Sequence, residues 1–502
     1  MIDYKFSSNK KLRVLYFGRS AKGCPEVTYP AASKIRHLRY FQISGLKLIN
    51  MHDDESIGKL YNLQTLVLSG CGSVHNVLKN MGSLKNLRFL DISSSDIKKL
   101  PDSVTSLSLP EDYGALCQLR SLDLEGTGIN VLPDSCSNLH NLEVLHLFHC
   151  ELPKDVKSFT KLQRFRYTYR EKPIMLEGVG KLVRLQGLIN AVPDKLINEA
   201  ECNVGVEELG NLNFLEALDI VNLENVKDPI DAERANLKGK QNLRELGLCW
   251  GKREEELSAM WWDQNACNDL QVLQALQPPP GLTTLATSIY WAAPSLDIGG
   301  FPCLIELYLN DLFLLEELCP YPHLQLLRII DCKCLKEIPS FPSLTTLVLV
   351  KVDPKLVFSV GRNKTSLTHL WLKNIEELTY FPMNILQSNC NLQLLRIKNC
   401  NLFEGFGVND DENKNDSPKF HGGSIQKLML QDCPVLKFLP DLQGSTSLQQ
   451  LTIFNCPQLK KSLTYDLKSL SFLKELYLDF NQREEQRGDP SNMYDLINLM
   501  KM

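Results

Sequence analysis

The stretch Leu448-Gln-Gln-Leu451-Thr-Ile453 shows the pattern that decides the fold. Aliphatic residues stand at its first, fourth and sixth positions, with polar residues between them. Because successive side chains of a strand point to opposite faces, we predict that Leu451 and Ile453 point inward and that Gln450 and Thr452 point outward. A strand that buries one face needs similar neighbours to cover it, so the pattern predicts stacked copies of one unit.

The same pattern recurs from one end of the chain to the other. Spacings of 24 residues from Leu63 to Leu87 and 20 residues from Leu304 to Leu324 fit a unit of one short strand and one return segment. Weaker copies near Leu185 and Leu282 raise the total from 17 to about 19. The clear copies begin at Leu12, Leu38, Leu63, Leu87, Leu119, Leu142, Leu162, Leu215, Leu243, Leu304, Leu324, Leu344, Leu367, Leu392, Ile425, Leu448 and Leu473.

This unit resembles the leucine-rich repeat. The resemblance predicts an α/β solenoid of about 17–19 repeats, a horseshoe whose strands pair in parallel as one concave β-sheet. We expect N-terminal repeats over 1–170, irregular repeats with insertions over 171–303, C-terminal repeats over 304–490 and a helical cap over 491–502. The insertions near 171–210 and 250–301 are predicted to be loops or helical excursions.

Cysteine recurs eight positions after the first leucine of a copy, where a small buried residue closes the turn. A zinc site at Cys332 and Cys334 would need a paired C-x-x-C spacing that is missing here, so no metal site is predicted. A catalytic cysteine beside His146 or His149 is not supported, since no partner that would orient either histidine is identifiable from the sequence. Without clustered catalytic groups, we predict that the chain is not an enzyme. The turn cysteines are Cys71, Cys150, Cys332, Cys400, Cys433 and Cys456.

Charge and hydropathy indicate which kinds of partner and which cellular compartment to expect. The 55 basic and 59 acidic residues give a net charge of −4, which argues against nucleic acid as a partner. No run of about 18 apolar residues occurs, so no membrane span is expected. Lys10, Lys11 and Arg13 interrupt the region where a signal peptide would need an apolar core, and we therefore expect an intracellular protein.

Residues 204–250 carry a more specific resemblance. The run Leu215-Glu-Ala-Leu-Asp-Ile-Val-Asn-Leu-Glu-Asn-Val226 is followed by the series Ala232, Ala235, Leu237, Lys240 and then by Leu243-Arg-Glu-Leu-Gly-Leu-Cys-Trp250. This series resembles the leucine-rich-repeat region of plant coiled-coil NLR (NBS-LRR) disease resistance proteins, as does Leu270-Gln-Val-Leu-Gln-Ala-Leu-Gln-Pro278.

The resemblance implies a role in plant defence. It implies that the region senses a pathogen effector, directly or through a guarded host protein, and holds the receptor inactive through its nucleotide-binding domain. ADP or ATP would belong to that domain; since no G-x-x-x-x-G-K-[ST] occurs, no cofactor is expected in this chain. The implied compartment is the cytoplasm, with the nucleus as an alternative. A ligase substrate adaptor or a decoy without signalling domains is the alternative function.

Two strips of outward strand positions are candidate binding surfaces. Large aromatic residues beside cations favour protein contacts, because they bury much area at a small entropy cost. The bland alternatives, that these side chains only shield strands or form a solvated charged face, stay open. The strip predicted to bind a protein ligand is Tyr308, Trp371, Lys373, Arg396, Lys398, Lys427, Phe454 and Tyr477. The strip predicted to contact the rest of a receptor is Asp91, Asp123, Glu125, Arg164 and Arg166, with Asp219 also expected to be exposed.

Overall fold

The structure is a computed structural model that divides into two compact units. Unit 1 is Met1–Leu314 and unit 2 is Leu315–Met502, and each is described by itself. The predicted boundaries within the chain stay predictions, and the predicted cap at 491–502 lies outside the described residues. The described residues are 11–17, 26–28, 35–49, 57–78, 81–101, 104, 116–148, 150, 156–168, 178–191, 205–250, 259–288, 301–361, 366–407, 424–440, 447–461 and 473–479.

Unit 1 contains a ladder of twelve parallel strands in chain order, and a separate parallel pair formed by β2 and β4. The strands are β1 Val14–Phe17, β2 Glu26–Thr28, β3 Tyr40–Ile43, β4 Lys47–Ile49, β5 Thr65–Val67, β6 Phe89–Asp91, β7 Ser121–Asp123, β8 Val144–Phe148, β9 Arg164–Thr168, β10 Gly187–Ala191, β11 Ala217–Ile220, β12 Glu245–Cys249, β13 Thr284–Ser288 and β14 Glu306–Asn310.

Unit 2 continues the same design with seven parallel strands, and β18 and β20 form a small pair outside the ladder. Each clear copy of the repeat, and both weak ones, leads into a ladder strand, which confirms the solenoid and the upper repeat count of 19. The strands are β15 Leu326–Ile330, β16 Thr346–Val350, β17 His369–Lys373, β18 Tyr380–Pro382, β19 Leu394–Lys398, β20 Gly405–Gly407, β21 Lys427–Gln431, β22 Gln450–Phe454 and β23 Glu475–Asp479.

The return segments between strands use short helical turns. In unit 1 the α-helices are α1 Val74–Leu78, α2 Pro229–Arg234 and α3 Ala259–Leu276, and in unit 2 they are α4 Pro354–Val360 and α5 Asn384–Ser388. The 3₁₀ turns are Ile57–Lys59, Met81–Ser83, Asp134–Asn138, Val156–Ser158, Val179–Lys181, Val206–Asn211, Leu223–Asn225, Leu237–Gly239 and Pro457–Lys461. Within the described part of the chain, no helix is long and apolar enough to cross a membrane.

The second insertion is a helical excursion, as one of the two sequence alternatives proposed. Its helix α3 is 18 residues long and packs on α2. The Asn268 side chain of α3 donates a hydrogen bond of 2.8 Å to the carbonyl of Val226. Asp228 caps α2 by accepting a hydrogen bond from the backbone N–H of Ile230.

The turns that follow several ladder strands of unit 2 explain the polar residue and the cysteine of the repeat. Asn374 and Asn399 directly follow β17 and β19 and have φ values of 54° and 53°. Asparagine and aspartate tolerate this left-handed backbone better than most side chains. The turn directs the next residue into the core, where Cys400 is fully buried and its thiol lies 3.5 Å from the carbonyl oxygen of Lys398. All six turn cysteines are buried, as predicted.

Lys240, the last residue of the series at 232–240, has a charged side chain that is fully buried. The ammonium group donates hydrogen bonds to the carbonyl oxygens of Leu209 at 2.6 Å and Leu212 at 3.2 Å. These carbonyls belong to the preceding return segment, so the lysine joins two successive coils. Burial lowers the pKa of Lys240 to about 8.

We predict that two neighbouring leucines of β19 differ sharply in their contribution to stability. Leu395 is fully buried, whereas Leu394 points to the other face and is half-buried. Leu395→Ala should lower the free energy of unfolding by about 2–5 kcal/mol, because it leaves a cavity, and Leu394→Ala by about 1 kcal/mol or less. Chemical denaturation of both variants measures the difference, and equal losses would contradict the assigned faces.

Candidate functional site

The outward positions of the ladder strands form a surface in each unit, which we call the open face. In unit 2 the open face carries seven of the residues predicted to bind a ligand, and Tyr308 lies on the open face of unit 1, in β14. The strands hold these side chains in rows, because paired parallel strands lie about 4.8 Å apart. The seven residues in unit 2 are Trp371, Lys373, Arg396, Lys398, Lys427, Phe454 and Tyr477.

Trp371 and Arg396 are the best-defined contact of this face. They are register partners on β17 and β19, and the guanidinium carbon of Arg396 lies 5.4 Å from the centre of the indole ring. Arg396 also donates a hydrogen bond of 2.8 Å to the side-chain oxygen of Gln431. Its half-burial lowers the pKa of Arg396, but an arginine stays charged. The cation–π contact and the hydrogen bond together hold both side chains in place while 38% of Trp371 stays exposed.

Lysines surround this pair. Lys373 and Lys398 are register partners next to it, and Lys398 lies 3.7 Å from a carboxylate oxygen of Asp432. Lys427 is exposed at the other edge of the strands. The pKa of His369 is lowered, first by burial and then by the charge of Lys427. This part of the face therefore has a positive local potential.

Phe454 and Tyr477 lie farther along the ladder, in β22 and β23. Phe454 is half-buried, and Tyr477 is 54% exposed. Three ladder steps separate β19 from β23, so Tyr477 stands roughly 14 Å from the Trp371–Arg396 pair. The structure thus places the predicted ligand residues of unit 2 on one face but in two groups.

The open face of unit 1 brings together four of its five predicted contact residues, which are Asp91, Asp123, Glu125 and Arg166. Asp123 accepts a hydrogen bond of 2.9 Å from Nδ1 of His146, its register partner on the next strand. Arg166 lies 3.4 Å from a carboxylate oxygen of Glu125. Asp91 is the register partner of Asp123 on β6 and accepts hydrogen bonds from Ser93, whereas Arg164 is exposed at the start of β9. The expectation that His146 has no orienting partner is wrong, because the ladder brings Asp123 beside it.

The cluster contains three side chains that could ligate a cation, but Arg166 already supplies a positive charge there. One potential ligand atom each from Asp123, Glu125 and His146 lies within 4.8 Å of the others. The guanidinium of Arg166 already compensates Glu125, and His146 is hydrogen-bonded to Asp123. The sequence-based prediction of no metal site stays a prediction.

The pKa values of Asp123 and Asp219 are shifted in opposite directions. Burial raises the pKa of Asp123, but the hydrogen bonds from His146 and from the backbone of Glu125 outweigh it, so the pKa lies below its ordinary value. Asp219 was expected to be exposed but is buried, with 9% of its surface accessible. Burial, followed by the charge of Glu245, raises the pKa of Asp219 to about 7, against the opposing effect of Arg166.

Two of the buried cysteines, Cys136 and Cys400, are thiols rather than nucleophiles. Burial raises the pKa of Cys136 to about 12 and that of Cys400 to about 11. A thiolate is the reactive form of cysteine, so these two side chains act as small apolar groups. Of the two cysteines considered as zinc ligands, Cys332 is buried and Cys334 is exposed.

Comparison with known proteins connects this geometry to a repeat family. A family model described as a leucine-rich repeat region matches residues 69–313. The chain contains a leucine-rich repeat region. The leucine-rich repeats are similar to those of the putative disease resistance RPP13-like protein 1 of Arabidopsis thaliana, with 25% identity over 327 residues, 51% of this chain and 31% of that protein.

Further relatives carry the same kind of name. The disease resistance protein RGA2 of Solanum bulbocastanum is 27% identical over 243 residues, which are 39% of this chain and 24% of that protein. The matched leucine-rich repeats thus span about a quarter to a third of these two relatives. A solved leucine-rich repeat protein of Leptospira interrogans aligns with 89% of this chain and 92% of its own at 18% identity, with a TM-score of 0.42.

We predict that neutralising Asp219 and neutralising Asp123 have opposite effects on the stability of the folded chain. Between about pH 4 and pH 7 the unfolded chain has released the Asp219 proton while the folded chain keeps it, so stability falls as the pH rises through this window. The stability gained by Asp219→Asn over the parent chain should therefore grow by about 2–3 kcal/mol from pH 5 to pH 8.

Asp123→Asn is the matched comparison. Because the pKa of Asp123 is lowered by folding, this residue stabilises the folded chain at pH values above its ordinary pKa of 3.8. That stabilisation is lost as the pH falls through the pKa of the folded state. Asp123→Asn should thus lose about 1 kcal/mol at pH 8 through its weakened bond to His146. Urea denaturation at both pH values checks the pair, and destabilisation by Asp219→Asn at pH 8 would contradict the assigned environments.

Proposed function

We propose that this chain is the protein-recognition region of a plant intracellular immune receptor, which senses an effector or a guarded host protein. One observation supports this proposal most: the open face of unit 2 presents Trp371 and Arg396, already packed against each other, on strands whose backbone the ladder holds in place. Rigid aromatic and arginine side chains are the residue types that dominate protein interfaces. The similarity to plant disease resistance proteins supports the choice of system.

The two open faces have different roles in this proposal. The open face of unit 2 binds the ligand. That of unit 1, with Asp91, Asp123, Glu125, Arg164 and Arg166, contacts the nucleotide-binding domain of the parent receptor and helps to hold it inactive. ADP or ATP binds that domain, the protein works in the cytoplasm or nucleus, and the repeats contribute binding rather than catalysis.

A substrate adaptor or a decoy is the second candidate, because the same open face would serve either. The genomic sequence upstream of Met1 distinguishes them. An in-frame nucleotide-binding domain supports the receptor, and a confirmed start at Met1 in the transcript supports a decoy or adaptor.

We predict that Trp371→Ala and Tyr477→Ala each weaken binding to a pathogen effector or guarded host protein by roughly 2 kcal/mol, since each removes a large contact surface. The partner is first recovered by two-hybrid screening against an effector library and then measured by calorimetry with the purified chain. Phe438→Ala is the matched control, because Phe438 is 58% exposed but lies outside the ladder strands. Unchanged affinity of both folded variants would rule out this face as the binding surface.

A further inference from the structure

The open face of unit 2 carries charge of a single sign over most of its length. From β15 to β22, the outward positions of the ladder strands hold five cations and no carboxylate. Acidic side chains appear only in β23, at Glu475 and Asp479, and in turns such as Asp432. The five cations are Arg328, Lys373, Arg396, Lys398 and Lys427.

Folding does not require this arrangement. Lys373 and Lys398 stand directly opposite each other on neighbouring strands, and like charges in that position destabilise a sheet. Lys398 lies 3.7 Å from a carboxylate oxygen of Asp432, which is a turn residue outside the row of outward positions. His369 on β17 and Lys427 on β21 are both register partners of Leu394 on β19, and the charge of Lys427 adds to burial in lowering the pKa of His369. A negatively charged ligand would relieve this repulsion.

Apolar surface is interleaved with the cations. The Trp371 ring lies on one side of Arg396, and Met429 is its register partner on the other side. Val348, the partner of Trp371 on β16, continues the row but is only 9% exposed. The face therefore offers the apolar side chains of Trp371 and Met429 on either side of a guanidinium group, with ammonium groups nearby, which suits a mixed ligand.

We propose that the open face of unit 2 binds an acidic segment of its protein partner, in which carboxylates flank an apolar side chain. The apolar side chain packs on Trp371 and Met429, and the carboxylates face Arg396, Lys398 and Lys427. This inference rests on the proposed function, since it names the chemistry of the partner that this same face recognises.

An RNA strand fits the face less well, although it is also an anion. Beside Trp371 and Arg396, the same row continues with Val348 and Met429, which are apolar side chains where an extended nucleic-acid groove would carry further cations and aromatic rings.

The test measures fluorescence anisotropy of the full chain with three labelled probes of equal length: an acidic Glu-Asp-Leu-Glu-Asp-Leu peptide, its neutral Gln-Asn-Leu-Gln-Asn-Leu counterpart, and a single-stranded RNA. The acidic peptide should bind roughly tenfold more tightly than the neutral one at low salt, and this advantage should shrink at about 0.3 M NaCl.

Single substitutions of cationic residues test whether the acidic peptide binds at the open face of unit 2. Arg396→Gln and Lys427→Gln should each weaken the acidic peptide by roughly fivefold. Lys427 is exposed, so its variant tests the charge without disturbing the Trp371 contact. Lys355→Gln is the matched control, because Lys355 is also exposed but lies on α4, outside the ladder. Thermal melting shows that each variant is folded.

The outcomes separate this inference from the proposed function. Equal binding of the two peptides, or an equal loss with Lys355→Gln, overturns the inference. RNA that binds more tightly than the acidic peptide, and is lost in the same variants, replaces the protein segment by a nucleic acid. A protein partner that is lost with Trp371→Ala but kept with Arg396→Gln and Lys427→Gln overturns the acidic segment and leaves the proposed function standing.

Discussion

The burial of alternate aliphatic side chains between successive strands is the interaction on which the whole structure depends. In β17 and β19, Leu370 and Leu395 are register partners and both are fully buried. Burying one such side chain contributes about 2 kcal/mol, but only when the neighbouring coil covers it. No repeat is stable alone, and each strand is held in register by those beside it. The backbone of the open face is therefore fixed before any ligand arrives.

Because the strands are held in register, the outward side chains of each open face form rows across neighbouring strands. In unit 1 the rows bring carboxylates beside His146 and Arg166, and the charges are largely satisfied within the face. In unit 2 the same geometry opposes Lys373 to Lys398 and sets Arg396 against Trp371, which leaves an excess of positive charge. Side chains that the fold does not need, held on a rigid support, are those available for recognition. The difference between the faces supports separate roles for them.

Much of this fold could be predicted from the sequence, because strand alternation and repeat spacing are local properties. The weak copies at Leu185 and Leu282 did become strands β10 and β13, and Cys400 is buried as its place in the repeat required. The positions of Trp371 and Arg396 on one face followed from the same alternation. Local patterns could not show which side chains meet across strands, since that depends on the lengths of the intervening segments.

His146 and Asp123 illustrate this limit. They are 23 residues apart, and only the register of β7 with β8 makes them neighbours. Asp219 occupies an outward position, yet its neighbours cover it and raise its pKa. Lys240 would be expected in solvent on its charge alone, but it is buried because two backbone carbonyls of the preceding coil need a donor. In the sequence, Lys240 stood out only as a member of the series at 232–240, and the carbonyls of Leu209 and Leu212 supply the physical reason for it.

Hydrogen exchange followed by mass spectrometry tests the central claim most directly. The strand amides donate to the neighbouring strand, as Thr346 does to the carbonyl of Gln325 and His369 to that of Thr345. Protection should therefore come in short blocks at Thr346–Val350, His369–Lys373 and Leu394–Lys398, with faster exchange in the segments between them. Long continuous blocks that run through those connecting segments would indicate helices packed in separate cores, and would contradict the parallel ladder.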